Sequence, residues 1–253
     1  MAIAAAVMAL PALRQAQQAK PLSTRHVGLA VLAGLFFAGD LAAWNTSVLI
    51  TNAANATLFG NTSPFWVSLG AMLLFKEKIA PVFWAGLALA MAGAVIILGG
   101  DFLTHLTLGL GDLLALLAGF FYAGFFLATQ RARDQLSSLV SWWISAITSA
   151  LALLIFSLAL GQPLTGYPAS AYWSLIALAL VTQVGGYLCI NYALGHLPAS
   201  IVSPTMLGQP VLTALLAVPL LGEPLTLLQI GGGLLVLGGI WLIHRRPAIP
   251  PPV

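Results

Sequence analysis

The sequence predicts an all-α integral membrane protein: a polytopic helical bundle of two inverted repeats, with eight full transmembrane helices plus an N-terminal partial helix. Three observations predict it. Eight apolar runs are each long enough to cross a bilayer, every basic residue falls on one side of the resulting topology, and the chain matches itself at an offset of 146 residues. Composition sets the class first: hydrophobic residues make up 60% and charged residues 6%, whereas a water-soluble domain carries about 25% charged residues. The single cysteine, Cys189, excludes an internal disulfide framework and a multi-cysteine metal site; it reads as a small apolar packing residue.

A helix needs about 20 apolar residues to cross the hydrocarbon core. The runs that qualify are A (Val27–Leu49), B (Asn55–Phe75), C (Pro81–Gly99), D (Gly109–Gln130), E (Ser138–Leu160), F (Ala171–Ala193), G (Ser200–Leu220) and H (Thr226–His244). Lys76-Glu77-Lys78 ends B, Gly161-Gln162-Pro163 ends E and Gly222-Glu223-Pro224 ends G; Pro81 and Pro224 fit the start of a following helix, where a missing N–H costs nothing. A further apolar stretch, Met1 to Leu13, is too short to span. It lacks the basic n-region of a signal peptide, and cleavage would carry Arg14, Lys20 and Arg25 across the membrane.

Alternating sides along the chain, with Arg14, Lys20 and Arg25 inside, puts Lys76, Lys78, Arg131, Arg133, Arg245 and Arg246 inside as well, so all 9 Lys and Arg share one face. This is the positive-inside pattern, and it places the protein in the cytoplasmic (inner) membrane as a multi-pass protein with a cytoplasmic C-terminus. One missed or false span would split the charges between faces.

At the 146-residue offset Asn45 meets Asn191, Pro64 meets Pro210, Glu77 meets Glu223, Gly39 meets Gly185, Gly86 meets Gly232 and Gly93 meets Gly239. The shift carries A, B and C onto F, G and H, five spans on. Five is odd, so the copies thread the membrane in opposite senses, an organisation that secondary transporters use to build a midplane site between pseudo-symmetric halves. The expected organisation is a first repeat over residues 1–100, N-terminally incomplete, and a second over 101–253. Span D has no counterpart and E has only a tail, the Met1–Leu13 stretch, so about 40 residues are expected ahead of Met1, absent through a misplaced start codon, a deletion or a natural shortening.

The stretches Ala38-Gly39-Asp40-Leu41 with Trp44, Ala53-Ala54-Asn55-Ala56-Thr57-Leu58, Asn61-Thr62-Ser63-Pro64-Phe65 and Leu74-Phe75-Lys76-Glu77-Lys78, with Leu197-Pro198-Ala199-Ser200, Gln209-Pro210 and Leu221-Gly222-Glu223-Pro224 in the second copy, resemble the EamA-type transporters of the drug/metabolite transporter superfamily. The resemblance implies ten helices with both ends cytoplasmic, alternating-access movement of small metabolites, and a cavity lined by the first, third, fourth, sixth, eighth and ninth helices. Those correspond here to a missing helix and to A, B, D, F and G.

Asp40 is the carboxylate well inside a span, where an unpaired charge costs about 2.5–3.5 kcal/mol on insertion scales. It reads either as a proton-coupling or cation-binding group or as a polar residue bonding a neighbouring backbone. Asp40, Trp44 and Ser47 share one face of A, and Asn55, Thr62 and Trp66 one of B. Tyr122 and Phe126 share a face of D, Gln183, Tyr187 and Asn191 one of F, and Met206 and Gln209 flank Pro210 in G. Together they suggest a substrate pocket for flat or amphipathic solutes, apolar walls with a few directed polar groups. Singly, each polar member is equally read as interhelical glue. Pro64 and Pro210, at equivalent mid-helix positions, each remove a backbone hydrogen bond and kink the helix, serving either gating or packing. The glycines of C and H read as close helix-packing faces.

No histidine pair has ligand spacing, and no Gly-x-Ser-x-Gly or His-Glu-x-x-His occurs. No metal, cofactor, nucleic-acid partner or enzymatic activity is therefore expected. The expected function is secondary transport or export of a small organic metabolite, amino-acid-like or amphipathic and aromatic, with the lipid bilayer and a small-molecule substrate as partners and protons as a candidate coupling ion. The alternatives are an inactive or regulatory truncated remnant and, further off, an intramembrane enzyme. With Cys189 replaced by Ser, cysteines placed at Lys76 and Arg245 are expected to react with an impermeant maleimide from the same side; labelling from opposite sides would break the topology.

Overall fold

A computed structural model describes residues 1–18, 23–98, 109–222 and 224–245. Lys20, the end of span C at Gly99, His105, Glu223 and Arg246 lie outside the described residues. Helices are the regular elements: α1 (Ala2–Gln18), α2 (Thr24–Ile50), α3 (Ala53–Gly60), α4 (Ser63–Phe75), α5 (Pro81–Leu98), α6 (Leu110–Ala132), α7 (Ser138–Ala159), α8 (Ala169–Ala177), a π-helical segment (Leu178–Gly186), α9 (Tyr187–Leu194), α10 (Ala199–Thr205), a 3-10 turn (Met206–Gly208), α11 (Gln209–Leu221) and α12 (Leu227–Arg245). Among the described residues eight helical stretches are long and apolar enough to span a membrane, in the order and near the edges of spans A to H. The chain is an all-α multi-pass membrane protein.

Helix boundaries repeat at the offset seen in the sequence. Residues 53, 63, 75 and 81, which open α3, open α4, close α4 and open α5, map onto 199, 209, 221 and 227, which do the same for α10, α11 and α12. The cap after α4 is Lys76 at φ 55 and the cap after α11 is Gly222 at φ 71, again 146 residues apart. Both adopt the left-handed conformation that ends a helix, easily for glycine and at a cost for lysine.

The prolines do more than kink. B tightens at Asn61-Thr62, where the Asn61 N–H bonds to Thr57 O at 2.9 Å and the Thr62 N–H to Phe59 O at 3.1 Å, and G tightens to a 3-10 turn at Met206–Gly208; Pro64 and Pro210 stand in the first turn of the α segments that follow, α4 and α11. A proline has no N–H to give the preceding turn but fits a helix start, so regular α geometry resumes there. Pro81 likewise opens α5. Pro224 does not open α12: that helix starts three residues later, where Thr226 Oγ1 accepts from the Gln229 N–H at 3.1 Å and Gln229 Oε1 accepts from the Thr226 N–H at 3.0 Å. This reciprocal cap makes a proline start unnecessary.

The chain forms two compact units, residues 1–42 with 124–197 and residues 43–123 with 198–253. In the first, α2 and α7 pack closely enough that a Cβ on Gly34 would lie 2.6 Å from the Ser145 carbonyl oxygen. Ser145 and Ser149 donate from α7 to the Ala30 and Gly34 carbonyls at 2.8 and 2.7 Å, one turn apart. Alanines 4, 5 and 12 and Met8 form the buried stripe of α1, which packs on α7.

In the second unit α5 and α12 run antiparallel, backbone against backbone. A Cβ on Gly86 would lie 2.8 Å from the Gly239 carbonyl oxygen, and one on Gly232 would lie 2.8 Å from that of Gly93. The offset relates Gly86 to Gly232 and Gly93 to Gly239, so it turns the first contact into the second. Phe83, Leu87, Ala90, Val236 and Ile243 fill the core around this seam. Gly93→Val and Gly239→Val, which strike equivalent carbonyls, are expected to destabilise the chain by similar amounts, about 1–3 kcal/mol each, measured by reversible detergent unfolding.

Candidate functional site

In the first unit an aromatic cluster forms where α2, α6, α7 and α9 meet. Phe37, Phe125 and Trp142 are fully buried. The Phe37 ring stands 5.0 Å from Phe125, 5.3 Å from Trp142 and 4.7 Å from Tyr187, while Trp142 and Tyr187 stack at 4.8 Å with a 16° interplanar angle. Edge and stacked pairs of this kind add to what area burial alone provides.

The π-helical segment positions this cluster. In an α-helix the Tyr187 N–H would bond to Gln183 O. Here it reaches Thr182 O, five residues back, and Val184 O. That frees the Gln183 carbonyl, which accepts from Trp142 Nε1 at 2.5 Å. π turns recur at functional sites because they release backbone groups of this sort. The Gln183 side chain is itself buried, and its Oε1 has no hydrogen-bond partner.

Further along the same faces, Asn191 is fully buried and its Nδ2 donates to the Tyr187 carbonyl at 3.0 Å. Arg133 Nε donates to the Asn191 carbonyl at 2.8 Å, and its Nη1 donates to Leu136 O. These carbonyls belong to helix ends and turns where a cation is favoured. Burial lowers the Arg133 pKa from its ordinary value.

The second unit gathers a different set. Trp44 lies over Gly60, where a Cβ would meet its ring at 3.4 Å, and Thr62 Oγ1 donates to Phe59 O at 2.6 Å beside Gly119. Trp66 packs edge-on to Phe65 and Phe120, with its Nε1 buried and unpartnered, as are Ser47 Oγ and Asn61 Nδ2. Glu77 is buried at 7% exposure, and its Oε2 accepts from Ser200 Oγ at 2.6 Å. Asp112 accepts from Thr51 Oγ1 and the Gly109 N–H, both at 2.9 Å.

The expected residues are thus divided. Asp40, Phe126, Gln183, Tyr187 and Asn191 fall in the first unit; Trp44, Asn55, Thr62, Trp66, Tyr122, Met206 and Gln209 fall in the second, with Pro64 and Pro210. Gln183, Tyr187 and Asn191 do share a face. The α6 ring that meets Tyr187, edge-on, is Phe125, next to the expected Phe126, which is also fully buried. Asp40 is half-buried, one turn beyond Phe37, and Gln209 is exposed. Sequence reasoning missed Phe37, Phe125, Trp142, Thr129 and Arg133. The i, i+4, i+8 spacing of Phe125, Thr129 and Arg133 was the available signal. Among the described residues no group of three or more His, Cys, Asp or Glu comes together.

Comparison with known proteins gives the class. A model of the EamA-like transporter family matches residues 1–99 and 109–245. The uncharacterized transporter YdfC of Bacillus subtilis is 25% identical over 77% of this chain and 63% of its own length. A protein of Salmonella typhimurium described as a "probable amino-acid metabolite efflux pump" is 30% identical over 70% of this chain and 62% of its own. The chain thus spans roughly three-fifths of these relatives. One solved crystal structure superposes with a TM-score of 0.76 over 96% of this chain and 84% of that one at 20% identity, a likeness of fold. Trp142→Phe keeps the ring but strands the Gln183 carbonyl; a loss of about 1–3 kcal/mol is expected, read in the same unfolding assay.

Proposed function

The chain belongs to the EamA-like transporter family, and from that premise we propose that it moves a small amino-acid-like or amphipathic organic solute across the cytoplasmic membrane by alternating access. The two repeats, residues 1–100 and 101–253, act as its inverted halves, and the basic ends of the helices and the C-terminus face the cytoplasm. It acts as a carrier and not as an enzyme.

The observation that carries the reading is the pair of helices that tighten at related positions. The junctions of α3 with α4 and of α10 with α11 leave regular α geometry at offset-related positions, each followed by a proline in the first turn of the next α segment. Helices that change their turn at corresponding points of two repeats offer symmetric hinges for the release of a solute. Relatives in Salmonella typhimurium and Escherichia coli, both 30% identical and described as probable amino-acid metabolite efflux pumps, favour an amino-acid-like cargo.

Asp40, half-buried in α2 and without a hydrogen bond or ion pair among the described residues, is the proposed proton-coupling group. In proteoliposomes loaded with a panel of labelled amino acids and amphipathic cations, the full chain is expected to give saturable flux that rises with an imposed pH gradient. Asp40→Asn is expected to remove the gradient dependence. Flux by the variant that still follows pH would take Asp40 out of the mechanism, and no flux of any panel solute would favour the regulatory remnant.

A further inference from the structure

α6 and α9 face each other as a ladder of three rungs. Residues 125, 129 and 133 of the α6 face recur every four positions, about 6 Å per step, and the Arg133 N–H to Thr129 O bond of 2.9 Å carries the helical path to its end. Residues 187, 191 and 195 do the same on the other side. The first rung is Phe125 against Tyr187, rings 5.9 Å apart. The third is Arg133 against Gly195, where a Cβ would run into the guanidinium. The middle rung is therefore Thr129 and Asn191.

That middle rung is unsatisfied. Both residues are fully buried, and Thr129 Oγ1 and Asn191 Oδ1 have no hydrogen-bond partner. In lipid such groups are costly unless something else bonds to them. The third rung is also under-used: a guanidinium offers five N–H donors, Arg133 spends two of them on the Asn191 and Leu136 carbonyls, and no described carboxylate forms an ion pair with it.

We propose that this ladder is the recognition site for a free amino acid, with Asn191 Oδ1 and Thr129 Oγ1 accepting from the α-ammonium, the spare Arg133 donors binding the α-carboxylate, and the Phe125–Tyr187 rung receiving an apolar or aromatic side chain. The inference rests on the transporter reading above and names its substrate class. An ammonium is donor-only and needs acceptors; a carboxylate is acceptor-only and suits the planar guanidinium fork. The three rungs gather these needs on one face, and the long Arg133 side chain lets the carboxylate and ammonium sites converge on a single Cα. A cation without a carboxylate meets Arg133 repulsion, and an anion without an amine leaves the middle rung unsatisfied. Loading requires α6 and α9 to part at this rung, a movement of the kind alternating access demands.

The test uses the full chain in proteoliposomes with L-phenylalanine, L-phenylalaninamide, which lacks the carboxylate, and 3-phenylpropionate, which lacks the amine. Arg133→Gln is expected to lower the kcat/KM ratio of phenylalanine to phenylalaninamide at least about tenfold, and Thr129→Val with Asn191→Leu to lower the ratio of phenylalanine to 3-phenylpropionate by a similar factor. If Arg133→Gln does not reach the membrane, Arg133→Lys, which keeps the charge but loses the fork, is read by the same ratio. Equal losses for all three solutes would mean that the residues only hold the helices together and would overturn the proposal. A wild-type chain that carries other panel solutes but none of these three would overturn it while leaving the transporter reading intact. Absence of all wild-type flux would overturn both.

Discussion

Lipid offers no hydrogen bonds, so every backbone N–H and C=O in these spans must find its partner inside the protein. The rest of the structure follows from where that rule is met and where it is locally relaxed. It is met along α5 and α12, where uninterrupted helices let glycines bring two backbones into contact. Among the described residues the backbone bonds change register inside a span at three places: Asn61-Thr62, Met206–Gly208, and the π-helical segment Leu178–Gly186. At two of them a side chain takes a backbone carbonyl: Thr62 takes Phe59 O and Trp142 takes Gln183 O.

The same rule explains the distribution of polar side chains. Ser145 and Ser149, buried in α7, spend their hydroxyls on α2 carbonyls, tying the two helices without a charge. Glu77 is tolerated in the interior of its unit because it accepts from Ser200 at the start of α10. Where no such bond exists, as at Gln183, Thr129 and Asn191, the fold carries unspent hydrogen-bonding capacity.

Much of this was legible in the sequence, and the remainder was not for identifiable reasons. Span positions follow from length and hydropathy, and a repeat of helix boundaries follows from prolines and glycines that recur at one offset. The two prolines pointed to bends, but the tightening of residues 61–62 and 206–208 ahead of them is a change in which carbonyl each N–H reaches, and that does not show in the sequence. Phe125 and Phe126 are neighbours of the same type, and which one meets Tyr187 depends on the rotation of α6, to which hydropathy is blind. The π-helical segment has a run of ordinary apolar residues, with Gly185 and Gly186 as its clearest mark. Arg133 was read only as a topogenic charge, since nothing in the linear sequence shows that its guanidinium turns inward to the Asn191 carbonyl.

The glycine seam of α5 and α12 has one more implication. Its contacts are self-complementary: what Gly86 does to Gly239, Gly232 does to Gly93. This is the geometry of an isologous interface, in which one patch serves both partners about a two-fold axis. Here the axis passes between Ala90 and Val236 and the two patches are joined in a single polypeptide. Two separate half-length chains, inserted in opposite orientations, could make the identical contact without any covalent link between them.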